Sequence, residues 1–253
     1  MKVALFATCT VDVFEPAVGV AAVRLLRAGG CDVVFPEGQT CCGQPAWNSG
    51  FSADAARVAR TTLTALVAAL DGGADLIVVP AGSCATMIRV FWPELFTVVD
   101  DADAAARARR VGAATRELSE LIADLDLPAL RADPPVAVAY HHSCHMLREL
   151  RIHDQPLALL DAVEGCTRVE WPDDERCCGF GGMFSFKLPE VAEAMADDKL
   201  LSLRAAAPDA DVLVGSDSSC LVHLRGRAGA VGRPITTRHL AEVLADALPV
   251  DRP

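Results

Sequence analysis

The sequence predicts an α/β fold of two pseudo-symmetric repeats, each a small, mostly parallel sheet with flanking helices and with cysteines at the C-terminal ends of its strands. Three observations carry that prediction. The cysteines recur at one offset, the residues around them recur with them, and each half reads strand, helix, strand, helix, strand.

Cys144 follows Cys9 by 135 residues, and Cys177, Cys178 and Cys220 follow Cys41, Cys42 and Cys84 by 136. Cys31 and Cys166 also pair, at 135, so all ten cysteines belong to the repeat. Phe35-Pro36-Glu37 before Cys41-Cys42-Gly43 answers to Trp171-Pro172-Asp173 before Cys177-Cys178-Gly179. The apolar run at 74–78 before Ser83-Cys84 answers to 210–214 before Ser219-Cys220. Further on, Leu118, Leu121 and Ile122 match Leu240, Val243 and Leu244 at an offset of 122, which puts about 14 extra residues between Arg89 and Thr115. The seam is expected in the proline-rich stretch 131–135, dividing the chain into a first repeat, 1–132, and a second, 133–253.

Each half opens with a short apolar strand, 3–7 or 136–140, that runs into its first cysteine. A helix follows, opening near Pro16 or Pro156, where proline suits the first turn, and stopped by Gly29-Gly30 or Gly165. A second strand, 32–35 or 167–171, leads to the Cys-Cys-Gly. Long helical patterns at 53–70 and 189–207 precede a third strand, 76–80 or 212–215, and the last cysteine comes just after it. Open parallel sheets gather ligands beyond the carboxyl ends of their strands. Cysteines more than 30 residues apart are therefore expected to meet at one sheet edge, and two facing halves to make a pseudo-twofold molecule with two sites.

Composition narrows the function. With 253 residues, 52% of them hydrophobic, the chain has ample material for a core. A formal charge of −11 opposes a nucleic-acid surface, which needs clustered positive charge. The apolar run 3–7 is too short for a signal-peptide core, and nothing approaches the roughly 18 apolar residues of a membrane span. A cytoplasmic, reducing setting is expected, where many cysteines imply metal or redox work rather than stable disulfides.

Cys31 and Cys166 lie away from the expected ligand edge and read as core thiols. The other eight do not, because core residues rarely recur as a vicinal pair before glycine with two more cysteines at matching strand ends. A disulfide within Cys41-Cys42 or Cys177-Cys178 would be strained and labile, which leaves a vicinal-thiol oxidoreductase as one alternative. Zinc in an interaction module is another, since four thiolates suit a tetrahedral site. The dispersed spacing and the divergent sulfurs of adjacent cysteines favour iron–sulfur clusters.

The pattern Cys9, Cys41-Cys42-Gly43, Cys84, repeated as Cys144, Cys177-Cys178-Gly179, Cys220, resembles the duplicated cysteine-rich domain family called CCG. That family includes the B-type proteins of heterodisulfide reductase and the iron–sulfur proteins of glycolate oxidase. Within it the chain is most similar to the lactate utilisation protein A group, through residues 39–46, Tyr140-His141, Ser143-Cys144-His145 and 177–182. The resemblance implies two clusters, of 4Fe–4S type, on Cys9, Cys41, Cys42 and Cys84 and on Cys144, Cys177, Cys178 and Cys220. It also implies oxidation of a 2-hydroxy acid, lactate to pyruvate, with a ferredoxin-like iron–sulfur protein and a third small subunit as partners. Some heterodisulfide reductase domains end each set in Cys-x-x-Cys and bind a noncubane cluster through five cysteines. Here Ala81 and Asp217 hold the earlier position, leaving four candidates per half. His142 stands where close relatives are expected to carry aspartate.

Around Cys144, His141 and His145 are candidate catalytic residues, able to move a proton or bind a carboxylate near neutral pH; hydrogen bonding to backbone or cluster sulfide is the competing role. The first half has Phe6, Ala7 and Thr10 at the matching places, which marks the second half as the substrate side. Gly43, Gly179, Gly181 and Gly182 are expected to let the backbone approach a cluster with N–H groups aimed at sulfide; 179–182 is not a dinucleotide fingerprint. Arg148, Arg225 and Arg227 are either anion-binding or solvated helix residues, and Trp47 and Trp171 read as packing residues.

Overall fold

The computed structural model describes residues 1–249. Two four-stranded, all-parallel sheets form, one in each half. The first contains β1 (Lys2–Leu5), β2 (Asp32–Val34), β3 (Leu76–Val79) and β4 (Thr115–Glu117) in the order β2-β1-β3-β4. The second contains β5 (Arg131–His141), β6 (Glu164–Arg168), β7 (Val212–Gly215) and β8 (Thr237–His239) in the order β6-β5-β7-β8. The strand order reverses between β1 and β3, and again between β5 and β7. In parallel sheets that reversal opens a crevice for ligands beyond the strand ends.

Strand alternation divides each sheet between two cores. Val3, Leu5 and Val78 of the first sheet and Val138, Tyr140, Val212 and Val214 of the second belong to one shared cluster. Helices Pro16–Ala28, Leu118–Ala123, Asp154–Asp161 and Leu240–Asp246 supply most of the remainder. The opposite faces are covered separately. Ala4, Phe6, Ile77 and Val79 pack with Ser52–Asp71, Trp92–Val98 and Ala102–Ala114, and Ala139 and Leu213 with Pro189–Ala206 and Ser218–Ala230. Both sheets are thus buried on both faces, as parallel sheets require.

Several boundaries differ from expectation. Each sheet gains a fourth strand of three residues, too short to show a period. β5 starts at Arg131, so the proline-rich stretch 131–135 is the irregular beginning of a strand, with a register shift between Arg131 and Val136. Gly165 lies inside β6 rather than stopping a helix; at φ +81 a Cβ there would meet the Ala132 carbonyl at 2.8 Å. The extra residues of the first half are largely one added helix, Ala102–Ala114, capped by the Asp101 side chain. Cys31 is buried in the shared core and Cys166 packs against it, both as expected.

Candidate metal centre

All eight remaining cysteines line one cleft at the carboxyl ends of the two sheets. Cys9 follows β1 after a bend at Thr8 (φ +68), Cys41 and Cys42 follow β2, and Cys84 lies in the helical turn Gly82–Thr86 after β3. The second half repeats the placement with Cys144, Cys177, Cys178 and Cys220. Within each set one pair of sulfurs is in direct contact, Cys42 Sγ 3.3 Å from Cys84 Sγ and Cys178 Sγ 3.0 Å from Cys220 Sγ. Cys9 and Cys41 in the first set, and Cys144 and Cys177 in the second, lie near enough to perturb each other's protonation. All are free thiols.

Glycine makes the vicinal pairs possible. Gly43 and Gly179 adopt φ +89 and +91, and a Cβ would meet the Ala55 carbonyl at 2.8 Å or the Ala192 carbonyl at 2.6 Å. The Gly43 amide donates to Cys41 Sγ at 3.4 Å and the Gly179 amide to Cys177 Sγ at 3.5 Å. The Phe180 amide, absent from the sequence-derived candidates, donates to Cys178 Sγ at 3.5 Å. Gly181 and Gly182 also line the cleft, and Gly182 abuts Pro45 of the first half. The halves are joined at this rim. Asp217 accepts from the Ser83 amide at 2.8 Å, the Gly82 amide donates to the Ser216 carbonyl at 3.2 Å, and Gly82 lies against Met146. Trp92, another residue sequence reasoning missed, donates its indole N–H to the Cys42 carbonyl at 2.8 Å.

The thiols respond to one another. Hydrogen bonding to Cys41 and then burial push Cys9 far up, while hydrogen bonding to Cys42 pushes Cys41 up to about 11. Cys177 is the exception. Hydrogen bonds from Cys144 and Cys178, with the Gly179 amide, hold it far below the usual thiol range. Cys144, its donor, is pushed correspondingly up.

The histidines separate. His145 lines the cleft with Nδ1 3.3 Å from Glu149 Oε2. His141 is 1% exposed and stands behind the cysteines. Its Nδ1 lies 3.3 Å from the Asp174 carbonyl, while Nε2 has no hydrogen-bond partner. A ring nitrogen of His141 and the sulfurs of Cys178 and Cys220 fall within 4.8 Å of one another. Burial lowers His141 well below the usual histidine range, so the ring is neutral. His142 lies elsewhere, stacked on His153 with centroids 4.5 Å apart. Arg225 pairs with Glu15 and Arg227 with Asp197 and Glu193, and neither lines the cleft. Trp171 is buried and donates to the Tyr140 carbonyl, and Trp47 packs near Phe91.

Clustered thiols, four of them buried, beside a buried imidazole nitrogen with no partner, form a donor set that fits a metal or cluster. Four sulfurs per half suit either a thiolate zinc site or an iron–sulfur centre. A sequence profile for the cysteine-rich domain CCG matches residues 3–89 and 138–225, once in each half. The chain belongs to the CCG family. Among CCG relatives, lactate utilization protein A of Geobacillus kaustophilus is 42% identical over 245 residues, covering 96% of this chain and 98% of the relative. Lactate utilization protein A of Exiguobacterium sp. is 43% identical over 248 residues, covering 98% of each. A hypothetical protein from Helicobacter pylori shares the fold, with a TM-score of 0.64 at 11% identity over 99% of this chain. The chain spans 49% of that protein's length.

Proposed function

We propose that this CCG protein is the iron–sulfur oxidoreductase subunit of a cytoplasmic system that oxidises L-lactate, or a similar 2-hydroxy acid, to the 2-oxo acid. The observation that carries the reading is the cleft itself. Two complete four-thiol sets open onto one space, each with a vicinal pair, a left-handed glycine and an amide aimed at sulfur. Bound there, iron–sulfur clusters would accept and release electrons singly. Cys9, Cys41, Cys42 and Cys84 would hold one cluster, and Cys144, Cys177, Cys178 and Cys220 the other. The Gly43, Gly179 and Phe180 amides offset negative charge on the sulfurs.

Oxidising a 2-hydroxy acid releases two electrons and two protons. His145, at the cleft wall beside Glu149, is the residue we assign to the hydroxyl proton. His141 is enclosed, and we assign it to steady Cys178 and Cys220 rather than to touch substrate. The electrons leave through partners, for which the lactate utilisation relatives favour a ferredoxin-like iron–sulfur protein and a third small subunit. Among the described residues no helix is long and apolar enough to cross a membrane.

Anaerobic purification with iron, sulfide and zinc analysis, followed by lactate addition in the presence of the partners, tests the reading. Stoichiometric iron and sulfide with lactate-dependent bleaching supports it. Zinc alone would indicate an interaction module, and metal-free protein with thiol-dependent turnover a vicinal-thiol oxidoreductase.

A further inference from the structure

We propose that buried Lys199 makes the second cysteine set the better holder of an added electron, so that stepwise reduction fills the second centre before the first. The inference rests on the reading that each set carries an iron–sulfur cluster.

Lys199 sits on helix Pro189–Ala206 and is 0% exposed. Its Nζ donates to the carbonyls of Asp173 at 2.6 Å, Asp174 at 3.0 Å and Arg176 at 2.6 Å, and lies 4.6 Å from the centre of the Trp171 ring. Three donated hydrogens require the ammonium form, since a neutral amine has only two. Those carbonyls belong to the turn that delivers Cys177 and Cys178, so the side chain also fixes that turn. Among the described residues no carboxylate lies within ion-pair distance of Nζ. A buried cation without a carboxylate is costly unless other negative charge balances it. Burial pulls Lys199 down, and the negative charge that opposes it comes first from Cys178 and Cys220, then from Asp174; Lys199 in turn favours the thiolate of Cys220.

The first half holds the matching turn without a charge. The buried residues of the two long helices match at an offset of 137, Ala55, Ala59, Leu63 and Leu66 with Ala192, Ala196, Leu200 and Leu203, which sets buried Thr62 opposite Lys199. Its hydroxyl accepts from the Thr40 amide at 2.9 Å and donates to the Cys41 carbonyl at 3.4 Å. Phe6 likewise stands where the second half has His141. Gly43 and Gly179 give each set a matching amide. Asp217 acts on Cys84 in the first set and on Cys144 and Cys220 in the second, so Lys199 must outweigh its negative charge. Adding an electron adds one negative charge, and a fixed cation in a low-dielectric interior favours that state. Net charge around a cluster is a principal control of its potential.

The test is an anaerobic redox titration of the cluster-loaded protein, followed by electron paramagnetic resonance. The expected result is two one-electron steps, with at least a tenfold preference for the first electron at one centre, a separation of about 59 mV. Cys84→Ser, which removes the first centre, should keep the higher step. Lys199→Gln retains a donor for the carbonyls without the charge and should lower the higher step by at least that tenfold factor, leaving the lower step in place. Lys199→Arg should restore it. Coincident steps in the unmodified protein, or survival of only the lower step in Cys84→Ser, overturn the proposal even if Lys199→Gln fails to load its cluster. With both clusters present, an unshifted higher step in Lys199→Gln overturns it as well. Protein without iron and sulfide removes both the proposal and the reading beneath it.

Discussion

Behind its vicinal cysteines the first half places Phe6 and Thr62; at the matching positions the second half places His141 and Lys199. The sulfurs in front are arranged alike, and so are the glycines that bend the chain around them. Ligand geometry is fixed by strand ends and by backbone that only glycine allows, so both copies retain it. The backing layer is only required to be filled, and a buried polar group can fill it if its hydrogen bonds are met. Lys199 meets that condition through three carbonyls. His141 meets it on one ring nitrogen and leaves the other toward the sulfurs. The two halves therefore offer the same arrangement of thiols and different electrostatics.

The largest effect expected is loss of one centre. On the proposed reading, in which each set of four cysteines holds one cluster, Cys178→Ser should remove roughly half of the iron and sulfide while Cys42→Ser removes the other half. Metal analysis of the two variants checks this, and loss of all iron in either would merge the sets into one site.

Next in size is an opposition between two equivalent helix caps, Glu117 and His239, both buried. Burial raises Glu117 from 4.5 to about 7, so its share of stability is complete below about pH 4.5 and is lost as pH rises toward 7. Burial lowers His239 from 6.5 to about 4, so its share is complete above about pH 6.5 and is lost as pH falls toward 4. Each shift corresponds to about 3 kcal/mol on an order-of-magnitude scale. Denaturant melts across this range should show Glu117→Gln flattening the loss on the neutral side, and His239→Gln the loss on the acid side.

Gly179→Ala and Gly43→Ala should each destabilise by about 1–3 kcal/mol, because the new methyl meets a backbone carbonyl at positive φ. Gly179→Ala should cost more, its contact being 2.6 Å against 2.8 Å. Thermal melts of the two variants decide the order. The smallest effect is expected from Asp217→Ala, which installs the residue found at Ala81. Loss of its bonds to the Ser83 and Ser219 amides should cost about 1–2 kcal/mol.

Much of this was legible in the sequence because the repeat is carried by cysteine, a residue whose spacing is conspicuous. β1, β2, β3, β7 and the apolar part of β5, with the helices near 53–70 and 189–207, follow from apolar pattern alone. By contrast β6, expected at 167–171, lies at Glu164–Arg168, whose residues are mostly exposed and carry no apolar period. β4 and β8 are too short to show a period, and β5 begins within prolines that read as a seam. Lys199 was hidden in a run of charges, although it shares a helix face with Ala192, Ala196 and Leu203, all buried. Asp217 showed only as a departure from cysteine; its bond across the halves depends on how the sheets face each other. The amide of Phe180 and the indole of Trp92 have no side-chain pattern that would single them out.

The central claim is that both centres share one cleft, and spin–spin interaction between them tests it most directly. In protein with both clusters reduced, paramagnetic resonance should show a split, mutually broadened signal. That signal should collapse to a simple one in both Cys42→Ser and Cys178→Ser. Two independent, unsplit signals in the doubly reduced protein would contradict the account.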